Sequence, residues 1–93
     1  MRIPPWYDDA GCRGMDRELF FPPGRDIITP EAEAACKACR VRRTCLNWSI
    51  ETGQYGTWGG LSEKGRSDER RRRQRRAAAA RAREDAEAVE DVA

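Results

Sequence analysis

The stretch Cys36-Lys37-Ala38-Cys39-Arg40-Val41-Arg42-Arg43-Thr44-Cys45 decides how this chain is read. Three cysteines within ten residues, spaced C-x₂-C-x₅-C, are hard to explain as packing. A fourth, Cys12, precedes Cys36 by 23 intervening residues. Thiolates are soft ligands that suit zinc or an iron–sulfur cluster. Zinc sites more often use two paired C-x₂-C knuckles. Here the second pair is missing and the spacing is uneven, which tilts toward a cluster on four thiolates while leaving zinc open. A redox dithiol of Cys36 and Cys39 is a third reading. The chain has no histidine, so no Ser-His-Asp triad, His-assisted cysteine nucleophile, H-E-x-x-H site or Cys₂His₂ finger can be built.

The composition around these cysteines makes a metal centre more than an ornament. With 93 residues, 39% apolar and 37% charged, the chain is one small domain with little material for a core. Such a chain needs a staple, and the cysteines are the candidates. All four of them, the three tryptophans and both phenylalanines lie between Trp6 and Leu61, so the compact part is expected there. No window approaches about 18 consecutive apolar residues, and the start, Met1 to Asp9, lacks the apolar region of a secretory signal. The expectation is a soluble cytoplasmic protein with no membrane partner. In that compartment thiols stay reduced, which favours metal over permanent disulfides.

Reading outward, Thr29-Pro30-Glu31 marks a helix start: Thr29 as N-cap, Pro30 at the first helical position, and Glu31 and Glu33 near the positive end of the dipole. This helix should carry Cys36, with Cys39 a candidate for its end. A second helix from about 41 to 52 places Cys45 and Trp48 on one face, with Gly53 as its left-handed C-terminal residue. Upstream, a helical turn or two is expected around residues 12–20, closed by Phe20-Phe21 and punctuated by Pro22-Pro23-Gly24. Downstream, Gly53-Gln54-Tyr55-Gly56-Thr57-Trp58-Gly59-Gly60 reads as a turn with several residues at positive φ. Ser67 offers an N-cap for a further helix over residues 70–83. No strand is expected.

Charge divides the chain into three. Residues 1–63 are nearly neutral and form the expected cysteine domain, residues 64–83 carry a net +8, and residues 84–93 carry −5 and no base. The last stretch puts acids at the wrong end of a helix dipole and is expected to be a disordered tip. In the basic arm, Lys64, Arg66, Arg70, Arg71, Arg72, Arg73, Arg75 and Arg76 fall within thirteen positions, opposed only by Asp68 and Glu69. Such a run suits phosphate contact better than a solvated face, and it positions without reading bases. Trp58, flanked by glycines, suits an interface anchor, the alternative being a small-core tryptophan.

The cysteine order with its C-x₂-C-x₅-C core, the stretch from Asp16 to Phe20-Phe21-Pro22, and Gly56-Thr57-Trp58-Gly59-Gly60 before a basic segment together resemble the WhiB-like transcriptional regulators of actinobacteria and their phages. The resemblance covers about residues 6–76. It implies an all-α fold of three to four short helices around one [4Fe–4S] cluster, with Cys12, Cys36, Cys39 and Cys45 as ligands. It also implies docking on region 4 of the principal sigma factor through Trp58, Gly56, Gly59 and Gly60 with Trp6, Phe20 and Phe21, and DNA contact through the basic arm. Sensitivity to redox state or nitric oxide, with a disulfide in the metal-free form, is part of the same implication. Two departures stand out: Thr57 occupies a place where the family usually has Val or Ile, and the loop before Cys36 is short. No Arg-Gly-Arg-Pro hook for the minor groove is present. The reading is thus a regulator, with neither enzymatic activity nor a small-molecule substrate. Its rivals are a thiol–disulfide reductase using Cys36 and Cys39, and an antagonist that occupies the sigma factor to block a host regulator.

Overall fold

The structure, a computed structural model, describes residues 4–92. It is all-helical: α1 (Pro30–Lys37), α2 (Arg42–Thr52) and α3 (Glu63–Val92), preceded by 3₁₀ turns at Pro5–Asp9 and Arg17–Phe20. Among the described residues the one β feature is a bridge between Trp58 and Leu61. No helix among them is long and apolar enough to cross a membrane.

α1 starts where the sequence says it should. The Thr29 hydroxyl oxygen accepts from the Ala32 N–H at 3.2 Å and donates to the Leu19 carbonyl at 2.9 Å, so one side chain caps the helix and ties it to the N-terminal segment. α1 ends at Lys37, and Cys39 therefore lies in the link to α2 rather than on a helix. α2 closes on Gly53 at φ 65°, whose N–H reaches the Ser49 carbonyl. The core is small: Phe20, Ala32 and Cys36 are buried, with Cys12, Met15, Leu19 and Ala35 packed against them. A cysteine thus stands at the centre of the largest apolar cluster.

α3 differs from the expectation at both ends. It begins at Glu63 instead of beside Ser67, because Ser62 serves as its cap: the Ser62 hydroxyl accepts from the Gly65 N–H at 3.0 Å, and its carbonyl from the Arg66 N–H at 2.9 Å. It then continues through the acidic stretch to Val92, where the sequence reading expects disorder; Ala93 lies outside the described residues. The alanines from Ala77 to Ala80, with Ala82, Ala86 and Ala88, are the strongest helix formers and carry the helix past the unfavourable dipole. At about 1.5 Å per residue its 30 residues span about 45 Å, most of the molecule's 61 Å length.

Candidate metal centre

The folding of residues 11–45 brings the four cysteines together from three elements. Cys12 sits in a turn of the N-terminal segment, Cys36 in the last turn of α1, Cys39 in the link, and Cys45 in the first turn of α2. All four are free thiols. Burial pushes Cys36 and Cys12 above the ordinary thiol range, and Cys45 up to about 12, and the charges of the other cysteines push in the same direction. Groups that raise one another in this way share one site.

Backbone amides work against that rise. The Gly11 N–H points at Cys39 Sγ, with N and S 3.4 Å apart, and the backbone of Gly60 and of Gly59 offsets part of the rise at Cys36 and Cys45. The Arg42 guanidinium further favours the Cys36 thiolate. An N–H donor on one sulfur and backbone and guanidinium groups that lower two others suit thiolates bound to a metal group, which must be deprotonated, better than four neutral thiols. Among the described residues no three His, Cys, Asp or Glu side chains gather at the spacing that would hold a single ion. Four cysteine thiolates are the donor set of an iron–sulfur cluster, and Cys12, Cys36, Cys39 and Cys45 are the residues that would hold one.

The glycine-tryptophan turn covers this site. Trp58 and Leu61 exchange backbone hydrogen bonds at 3.1 Å each, and Gly59 and Gly60 form the two-residue reversal with φ of 59° and 86°. A Cβ on Gly59 would lie 2.5 Å from Leu46 Cβ, so only glycine lets the turn lie against α2. A Cβ on Gly56 would lie 2.6 Å from the Phe20 carbonyl oxygen and against the Phe21 ring. The close approaches that the glycines permit are therefore to the chain's own surfaces. Gly59 is buried and, with Gly60, faces the cysteines, which removes Gly59 from the residues available to a partner.

The remaining aromatic residues form two layers. Trp48, one helical turn beyond Cys45, packs against Trp6 with ring centroids 5.7 Å apart and against Trp58 at 5.4 Å. The Trp58 indole N–H donates to the Tyr55 carbonyl at 2.6 Å, fixing the ring half-buried. Trp58, Phe20, Phe21, Tyr55 and Cys12 line an open, mostly apolar cleft of about 590 Å³. Trp6 does not line it. Phe20 is buried beneath it, while Phe21 is 42% and Tyr55 75% exposed.

The basic residues divide sharply. Arg66 is 4% exposed, and its guanidinium donates to the carbonyls of Gly56, Leu61 and Gln54. It is a buttress of the turn and is corrected out of the DNA-contact set: burying three carbonyls under the start of α3 requires a donor with that reach. Lys64 and Arg71 pair with Asp68, and Arg72, Arg73 and Arg76 with Glu69. Hydrogen bonds, from Arg71 above all for Asp68 and from Arg72 for Glu69, hold both carboxyls below their usual range. Arg73 also donates to Asn47 Oδ1 at 2.8 Å, joining α3 to α2. Arg70 and Arg75 extend into solvent without an ion pair among the described residues.

The sequence reading missed Arg42, whose Nε donates to the Gly59 carbonyl, and Asn47. Nothing in the chain distinguishes Arg42 from Arg40 or Arg43. Arg66 carried a signal, its position just after the turn, that was outweighed by the run of charge around it.

This part of the chain is similar to known proteins. The family described as transcription factor WhiB matches residues 6–74, from Trp6 through the turn into α3. The chain is 47% identical over 71 residues to "Transcriptional regulator WhiB1" of Bifidobacterium longum, covering 71% of this chain and 73% of that protein. It is 44% identical over 71 residues to the WhiB1 of Mycobacterium tuberculosis, covering 71% and 80%. It is 42% identical over 62 residues to "Transcriptional regulator WhiB" of Streptomyces coelicolor, covering 66% and 70%. The match takes in all four cysteines, the tryptophan stack and the turn that closes over them, and this chain belongs to the WhiB family of transcriptional regulators.

Proposed function

We propose that this transcriptional regulator holds one [4Fe–4S] cluster on Cys12, Cys36, Cys39 and Cys45, docks on region 4 of the principal sigma factor in the cytoplasm, and contacts promoter DNA with α3. The observation that carries the reading is the convergence of four free thiols under backbone amides, in a body with very little apolar core. A bound cluster would supply a redox-active group that also cross-links three elements. The chain's own residues do the rest. Trp48 and the turn shield the sulfurs, and Trp58 and Phe21 present an apolar cleft beside them. Arg66 ties the turn to α3, so the docking surface and the basic helix move as one piece.

The reductase alternative has less support. A dithiol reductase needs a low-pKa attacking thiolate, and burial pushes Cys36 the other way. Sigma docking without gene activation would use the same cleft and differs only in its effect on transcription.

Trp58→Ala tests the docking surface. The indole leans on Trp48 and no cysteine lies in the turn, so iron content should stay near wild type while affinity for the sigma domain falls by about thirtyfold, the effect of losing about 2 kcal/mol at an interface anchor. Unchanged sigma affinity would remove the cleft from the interface, and loss of iron would make Trp58 a residue of the centre itself.

A further inference from the structure

The loop before α1 is fastened to the first turns of α3. The Arg25 carbonyl accepts from the Lys64 N–H at 2.8 Å, and Arg25 Nε donates to Glu63 Oε1 at 3.1 Å. Arg70 follows Glu63 by seven residues, about two turns, so both stand on one side of the helix. Between this side of α3, Arg25 and the end of α2 lies a cleft of about 140 Å³, with Arg25, Glu63, Ser67 and Arg70 in its lining. A water needs about 10–15 Å³ of such space, so a tetrahedral anion of five heavy atoms fits. Arg25 spends only Nε on Glu63; its two terminal nitrogens have no hydrogen bond among the described residues, and its side chain is 69% exposed. Arg70 and the Ser67 hydroxyl also have no partner among the described residues. Arg66 borders the cleft too, but its guanidinium is committed to three carbonyls. Glu63 opposes one of these charges and leaves Arg70 uncompensated.

We infer that this cleft takes one backbone phosphate of duplex DNA, held by Arg25 and Arg70 together, so that the DNA surface continues from α3 onto the cysteine region. This rests on the DNA contact by α3 proposed above. A guanidinium offers its N–H groups as a fork that matches two phosphate oxygens, and here two such groups border one anion-sized space. Arg25 lies 38 residues before Glu63, in the nearly neutral part of the chain, and only the fold adds it to the basic run. A phosphate held from two elements fixes the angle at which α3 meets the duplex, and it does so without reading bases.

The test uses the full chain purified without oxygen and a set of labelled duplexes, with affinity measured by fluorescence anisotropy across a salt series. Wild type that retains no duplex at low salt would sink the DNA contact proposed for α3, whatever Arg25 does. With wild type bound, Arg25→Ala should lower the slope of log K against log salt by about one unit and weaken all sequences alike, with iron content unchanged. Arg43→Ala, at an exposed arginine of α2 outside the cleft, should keep the wild-type slope. Glu63→Gln releases the guanidinium and should tighten binding, a gain that should largely vanish when Arg25→Ala is added. An unchanged slope in Arg25→Ala, or an equal loss in Arg43→Ala, would overturn the inference. So would a Glu63→Gln gain of the same size with and without Arg25, which would reflect only a lost acid. Inorganic phosphate bound through Arg25 in calorimetry, together with an unchanged DNA slope, would give the cleft to a free anion and equally overturn it. Should Arg25→Ala lose iron, Arg25→Gln, which can still donate to Glu63, takes its place with the same expectation.

Discussion

Between Pro5 and Leu61 the chain makes helices of only 8 and 11 residues, and its main contacts join distant positions: Thr29 to Leu19, Thr57 to Phe20, Arg42 to Gly59 and the four cysteines to one another. α3 is the reverse. It runs for 30 residues, most of its ion pairs lie three or four positions apart, and from Ala77 to Ala88 it is wholly exposed. The cysteine region has little apolar area and only short helices of its own, which is the deficit that the proposed cluster would fill. α3 depends on propensity and on pairing within itself, and owes the centre only its first turns.

The largest effect should come from breaking the centre. Cys12→Ala removes the proposed ligand that would tie the N-terminal segment to α1 and α2, and iron content and the folded state of residues 5–61 should be lost together. α3 should retain part of its helical signal, since its pairs are local. Circular dichroism and iron assay on this variant check both halves, and full iron retention would break the four-ligand assignment.

Arg66 is where the two regions meet, and its replacement should rank next. Arg66→Met leaves the carbonyls of Gln54, Gly56 and Leu61 without their donor at a buried position. The expected cost is about 3 kcal/mol, measured by denaturant unfolding of the iron-loaded protein. An unchanged midpoint would mean that the turn and α3 are joined by something other than this residue.

Arg70 and Arg75 sharpen the comparison on the other side. Exposed, and without an ion pair among the described residues, they can meet phosphate without first breaking one. Replacing both by alanine should reduce the log–log salt slope of DNA binding by about two units and weaken all sequences alike. The same change at Arg72 and Arg73, held by Glu69, should have less effect.

The smallest effect concerns Thr57, which is 3% exposed and whose Oγ1 has no hydrogen-bond partner among the described residues. An apolar β-branched residue suits this place, and nothing in the structure explains the threonine. Thr57→Val keeps the shape and removes the orphaned hydroxyl, and should raise stability by about 1 kcal/mol in thermal unfolding.

What was legible in the sequence was what local chemistry encodes. The Thr29 cap with Pro30, the left-handed Gly53 and the glycine-rich reversal each need particular residue types, and each stands where those types occur. Cys45 and Trp48 share a face because a helix makes them do so. The misreadings arose where tertiary context assigned the role. Gly59 looks like an opening for a partner and is filled by Leu46, and Arg66 looks like its charged neighbours and is buried. At the acidic end the alanines' helix propensity outweighs an unfavourable dipole, so α3 runs on to Val92.

The most direct test of the central claim, that a cluster on four cysteines organises this small body, is the metal content of protein purified without oxygen. The account predicts a brown protein with about four iron atoms and matching sulfide per chain, whose removal by a chelator unfolds residues 5–61. A colourless protein holding a single zinc ion, or a metal-free one with α1 and α2 intact, would contradict it.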